Sequence, residues 1–258
     1  MKRAVLWLLA IGLSVAVTLL VFFPAAWLAL MVERQTEGRL TLGDAQGTLW
    51  RGSAFIGGAA SQSGAVTPLL PGRFSWRLSP LALFGAVDMA LENPDALAQP
   101  VSLTGSWSQW QVSGGALLLP AEGLAGLGAP LNTIAPSGSM RLSWSALRLA
   151  LVEHGVAVDG RTTLEMRDMA SRLSSLRPLG SYELAFDWHG QEAQLTLRSL
   201  KGPLLLEGTG ALTHGRLRFS GLARAATGYE ENLASLLNLL GRQRTSNDKN
   251  IIALEFGQ

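Results

Sequence analysis

Between Ala4 and Val32 the chain runs for 29 residues without one charged side chain, and no other feature restricts its fold as severely. The hydrocarbon core of a bilayer is about 30 Å thick and is crossed by about 20 helical residues, so the run is long enough to span it as a helix. Lys2 and Arg3 precede it, while Glu33, Arg34, Glu37 and Arg39 follow with balanced charge. That asymmetry predicts a basic end held in the cytoplasm and an exported remainder. Trp7 and Trp27 stand near the two ends, where indoles favour the headgroup layer, and Pro24 comes late enough to bend or end the helix without breaking its centre. A cleaved signal peptide has an apolar core of about 7 to 15 residues and a small-x-small cleavage site. Here the run is longer, and Trp27, Leu28 and Leu30 crowd any cut after Ala25 and Ala26, so the expectation is a retained anchor.

The exported part is electrically neutral. The formal charge of +2 is carried by Lys2 and Arg3, and from Glu33 to Gln258 19 basic residues face 19 acidic ones. Without net attraction to phosphate, nucleic-acid binding loses its main driving force. The absence of cysteine excludes disulfides, thiol catalysis, Cys-ligated zinc, iron–sulfur clusters and lipoprotein acylation. An oxidising compartment stays open, because a chain that buries an adequate core needs no disulfides there.

After residue 32 the apolar residues recur with period two. Phe74, Trp76 and Leu78 alternate with Arg73, Ser75, Arg77 and Ser79; Met140, Leu142 and Trp144 with Arg141, Ser143 and Ser145; Tyr182, Leu184, Phe186 and Trp188 with Glu183, Ala185 and Asp187. Leu195 and Leu197, and Leu217, Phe219 and Gly221, extend the pattern. Such alternation predicts antiparallel strands with one dry face and one wet face. The stretch from Leu118 to Ser137 loses it and reads as a long loop with at most a helical turn. Leu233, Leu236, Leu237 and Leu240 have helical spacing, Glu230 and Glu231 occupy the first turn, and Gly241 is placed as a stop. The helix reads as a cover for an edge or end of the sheet. A polar turn, "RQRTSNDKN", and a last strand, "IIALEF", follow.

Catalytic signatures are missing. His154, His189 and His214 are each followed by glycine, which marks hairpin tips rather than a metal motif. No nucleophile elbow, Walker loop or dinucleotide fingerprint occurs. Glu165 with Asp168, or Asp88 with Glu92, offer two carboxylates of the kind that glycoside cleavage uses, but each also fits the wet side or turn of a strand. The reading is a non-enzyme with no catalytic, metal or cofactor residues. Six tryptophans lie beyond the anchor. Trp50, Trp107 and Trp110 are the candidate partner contacts, indole being the side chain that most often anchors an interface; for Trp50 the competing role is to fix the first strand in the core.

One ordered set of stretches resembles a known family. "GTLWRG" at Gly47 to Gly52, "FSWRLSPLALFG" at Phe74 to Gly85, "LGAPLNTIAPSG" at Leu127 to Gly138 and "LLNLLGR" at Leu236 to Arg242 follow the apolar run in an order and spacing similar to protein N of the type II secretion system. The resemblance implies a bitopic protein of the bacterial inner membrane with a periplasmic domain, an accessory part of the apparatus that carries folded proteins across the outer membrane. Its implied partners are the membrane and other secretion components.

The resulting expectation is an all-β exported domain, an antiparallel sheet curled or stacked, with one N-terminal transmembrane helix and a short C-terminal amphipathic helix. It divides into a cytoplasmic stub at 1–3, a transmembrane helix at 4–32 and a periplasmic β domain at 33–258. A second function fits the same sheet: a curved sheet with an open apolar groove handling lipid between membranes.

Overall fold

The computed structural model describes residues 2–59, 66–127, 131–153, 155–213, 215–240, 242–243 and 251–257. The side chains of 2–6, 8–9, 16, 125–127, 131–132, 238–240, 242–243 and 251–257 lie outside that description, as do His154, His214, Gly241 and most of the polar turn before the last strand.

The charge-free run forms two helices, α1 over Lys2–Val21 and α2 over Ala25–Gln35. Pro24 is extended, with φ −67° and ψ 139°, and caps the start of α2. Its ring and missing N–H end the first helix there, so the run expected at 4–32 is not one continuous helix. Among the described residues no helix is long and apolar enough to cross a membrane.

The period-two segments become one sheet of 17 described strands. They are β1 (Leu40–Gly47), β2 (Arg51–Gly58), β3 (Thr67–Pro68), β4 (Phe74–Leu78), β5 (Val87–Glu92), β6 (Val101–Gly105), β7 (Gln109–Val112), β8 (Gly115–Pro120), β9 (Ser137–Trp144), β10 (Leu147–Val152), β11 (Gly155–Ala170), β12 (Gly180–Gly190), β13 (Glu192–Lys201), β14 (Leu204–Thr213), β15 (Arg216–Ala225), β16 (Arg242–Gln243) and β17 (Ile251–Gly257). All pairings are antiparallel, and sheet neighbours are mostly chain neighbours. β2 lies between β1 and β4, and β5, β6 and β7 follow in turn. β11 to β15 pair in chain order, and β17 closes on β15. In the middle, β9 and β10 both lie along one edge of β11, while β8 backs β9 and β7 backs β10. They therefore act as two long strands, each bent at a short break. Among the described residues no pairing joins β1 to β16 or β17, and the described strands form an open sheet.

The register sorts the side chains completely. Residues directly opposite in an antiparallel pair share a face, and one row across the sheet reads Leu142, Leu164, Leu184, Leu197, Gly208, Gly221. The next reads Trp144, Thr162, Phe186, Leu195, Gly210, Phe219. The opposite face carries the charges, including the cross-strand pairs Arg161 with Asp187 at 2.6 Å and Arg198 with Glu183 at 2.8 Å. In both pairs the arginine is well exposed, and pairs so open to water contribute little to stability. The dry face therefore supplies the driving force for folding.

That face is covered only in part. At the β1 side, Ala25 and Leu28 of α2 pack on Leu42, Ala54, Trp76 and Met89. Beside them Ala96 and Leu97, from the connection between β5 and β6, pack with Phe74, Val101, Leu117 and Trp144. At the far side α4 (Glu230–Leu240) sets Leu233, Leu236 and Leu237 against Leu204, Leu206, Phe219 and Ala223. The helix thus lies on the apolar face rather than along an edge. Between these covers Leu149, Val158, Leu164, Leu184 and Phe186 stay only half-buried. The stretch read as a loop from Leu118 to Ser137 contributes the end of β8, a 3₁₀ turn over Ala121–Leu127 and α3 (Leu131–Ile134).

Candidate functional site

The residues with chemical potential are spent on structure. Glu165 accepts from Arg167 Nε at 2.7 Å, and that hydrogen bond holds its carboxyl below the usual range. Asp168 is held low in the same way by Lys201, whose Nζ lies 2.8 Å away. A general acid needs a carboxyl that keeps its proton, and both groups are shifted the other way. Asp88 and Glu92 stand on the wet side of β5, and His189 sits at the β12–β13 hairpin tip, as its following glycine predicts. Among the described residues no three His, Asp or Glu side chains gather as a metal site.

"GTLWRG" is a hairpin and not the short strand its bracketing glycines suggested. Gly47 pairs with Gly52 across the end of β1 and β2, with residues 48–50 between the strands forming the turn. Gly47 has φ +85°, and a Cβ on it would press on the Arg51 carbonyl; a Cβ on Gly52 would strike the Trp76 indole at 2.5 Å. Both positions need glycine for want of space. Asp44 sits in the β1 irregularity with φ 48°, where its carboxylate pairs with Gln46 and Arg73 and is held below the ordinary range by them. Arg73 also lies over the Phe55 ring, 4.5 Å from its centroid. Asp44 is therefore a bulge fastener on the outer face.

The same hairpin grips the apolar helices. Trp50 Nε1 donates to the Leu20 carbonyl at 2.8 Å, the Leu49 N–H donates to the Phe23 carbonyl at 2.8 Å, and Pro24 forms a bridge with Thr48. Leu20, Val21 and Trp50, with Leu78, Pro80 and Leu83, line a cavity of about 620 Å³ at this junction. Trp50 is half-buried and outside the core clusters, and its indole ties the sheet to the end of α1. Trp107 lies at the β6–β7 tip, mostly exposed, with its Nε1 donating to Ala82 at 2.6 Å in the 3₁₀ turn Pro80–Phe84. Trp110 is on the dry face, opposite Gly105 and Leu149.

The second candidate is the dry face itself. From β2 to β15 the registers place no Asp, Glu, Lys or Arg on it. The polar atoms it carries are largely satisfied from within: Trp76 donates to Leu49, Trp144 to Ser113, Trp188 to Thr162 and Tyr182 to Leu204. A surface built this way offers hydrocarbon contact and few hydrogen bonds. The alternation predicted which side chains share it. How far it is covered stays open at the level of sequence, because alternation has the same form whether a second layer is present or absent.

A family model described as type II secretion system (T2SS), protein N, matches residues 38–249. Neither the search of curated proteins nor that of solved structures finds a significant match.

Proposed function

Because this chain belongs to the type II secretion system protein N family, and so is a component of that system, we propose that it works without catalysis, as an inner-membrane accessory part in the export of folded proteins. The observation that carries this is the match over 38–249, which takes in nearly the whole sheet. In this reading residues 4–32 anchor the chain, with 1–3 in the cytoplasm and 33–258 in the periplasm. The support is the uncharged run behind Lys2 and Arg3. The junction of Trp50, Leu49 and Pro24 with the end of α1 makes anchor and sheet one unit, so a partner docked on the sheet is held at the membrane. Strand edges and exposed apolar side chains, with Trp50, Trp107 and Trp110 as the named contacts, are its docking elements. Deleting the gene should reduce release of the system's extracellular enzymes, and the solubilised chain should co-purify other secretion components. Normal release together with a solitary chain would defeat the reading.

One observation favours a second reading, in which the sheet shields lipid acyl chains. The dry face is continuous, free of charge and half-uncovered between α2 and α4.

A further inference from the structure

The end of the sheet from which α1 departs is unlike the opposite end. The β1–β2, β4–β5, β6–β7 and β10–β11 connections lie there, since alternate turns of an antiparallel meander share an end. The β12–β13 and β14–β15 turns share it too, but with His189, Glu192 and Arg216 they are polar, so the contrast belongs to the β1–β11 part. Hydrogen bonds fasten the first four in a row: Trp50 to Leu20 of α1, Trp107 to Ala82, and the Leu151 N–H to Ser108. Solvated turns are usually made of Gly, Asn, Asp and Ser. Here Phe84 is 84% exposed, Trp107 63%, Leu81 59% and Leu151 57%. The far end displays Arg172, Arg177 and the Lys201–Asp168 pair, with Leu173, Leu200 and Tyr229 exposed among them to a lesser degree than the four tips.

Just behind these tips stand two like charges. Arg51 and Arg77 are direct cross-strand partners on β2 and β4, an arrangement that repels unless something anionic lies between. Neither forms an ion pair with a carboxylate among the described residues. Both line the cavity that holds Leu20, Val21, Leu83 and one acid, Asp88. Apolar tips in front and paired guanidinium groups behind reproduce the order of a lipid leaflet, acyl chains and then phosphate.

We propose that this end of the sheet is seated in the bilayer surface, with Phe84, Leu81, Trp107 and Leu151 in the boundary between headgroups and acyl chains and with Arg51 and Arg77 at headgroup phosphates. The proposal rests on the reading of residues 4–32 as an anchor and adds an orientation to it: the domain stands on end. Leu151 and its partner Val156 belong to the dry face, so that face reaches the lipid uncovered.

The chain has no cysteine, so single-cysteine variants of the full chain can each carry one environment-sensitive fluorophore. The variants are Phe84→Cys and Leu151→Cys at the tips, Leu13→Cys in α1 and Leu200→Cys at the far end, all exposed positions. They are reconstituted in vesicles of phosphatidylethanolamine and phosphatidylglycerol with and without nitroxide-labelled lipid. Probes at 84, 151 and 13 should emit at shorter wavelength and lose intensity to the nitroxide, and the probe at 200 should do neither. Quenching at 13 with none at 84 or 151 overturns the seating and leaves the anchor intact. No quenching at 13 overturns the anchor and the seating together. Quenching at 200 equal to that at 84 overturns the upright orientation.

Discussion

Tyr182 stands on the dry face of β12, buried, with its hydroxyl donating to the Leu204 carbonyl at 3.0 Å. Burial pushes that hydroxyl well above the usual tyrosine range, because the phenolate would lie against hydrocarbon. Tyr182→Phe leaves a buried carbonyl without its partner, which costs about 1 to 3 kcal/mol, read as a lower denaturant midpoint of the full chain in detergent. The sign of the pH effect follows from the raised folded value. Below about pH 10, where an unfolded tyrosine still keeps its proton, the stabilisation is fully present. Above it the unfolded chain ionises while the folded one resists, and stability falls. Tyr182→Phe should remove that part of the alkaline loss, and an unchanged alkaline slope would mean that Tyr182 is not shielded. Alternation alone placed Tyr182 correctly on the dry side, but its bond to Leu204 depends on a strand 22 residues away, which no local pattern encodes.

Among elements, α4 is the one whose role the leucine spacing made most legible. Leu233, Leu236 and Leu237 are buried as the spacing predicts; the surface that receives them, β14 and β15, had to come from the structure. Leu233 is fully buried, and Leu233→Ala should cost about 2 to 5 kcal/mol through lost burial and a residual cavity. Limited proteolysis should then cut within 226–240 faster than in the unmodified chain; equal cutting rates would show that the helix is held by something other than this contact. The first hairpin was the harder element to read. Two glycines around "TLWR" fit a short strand as well as a turn, and only the register of Gly47 on Gly52 and the Trp76 ring over Gly52 decide for the turn. Pro24 reads in the sequence as a residue that bends or ends the helix late, within a single helix at 4–32; the structure instead divides the run there into α1 and α2.

For the whole molecule, the antiparallel all-β class was readable because both faces of each strand differ so sharply in polarity. What alternation withholds is how much of the dry side a second layer covers, and here the layer is incomplete. If the open middle holds acyl chains, native mass spectrometry of the purified chain should show lipid at a fixed stoichiometry. Leu184→Lys, which sets an ammonium group in the centre of the dry rows, should then lower the bound fraction several-fold while Glu183→Lys, on the wet side, leaves it unchanged. A lipid-free protein, or equal loss in both variants, would dispose of the second reading.

The chain-order pairing of the strands governs how such a sheet comes into being. Each strand from β11 to β15 docks on the one made just before it, so a chain emerging during its synthesis can lengthen its edge one hairpin at a time. No strand in that series waits in water for a partner not yet synthesised, which shortens the interval in which bare hydrocarbon and unpaired amides invite clumping. The growing ribbon is its own template.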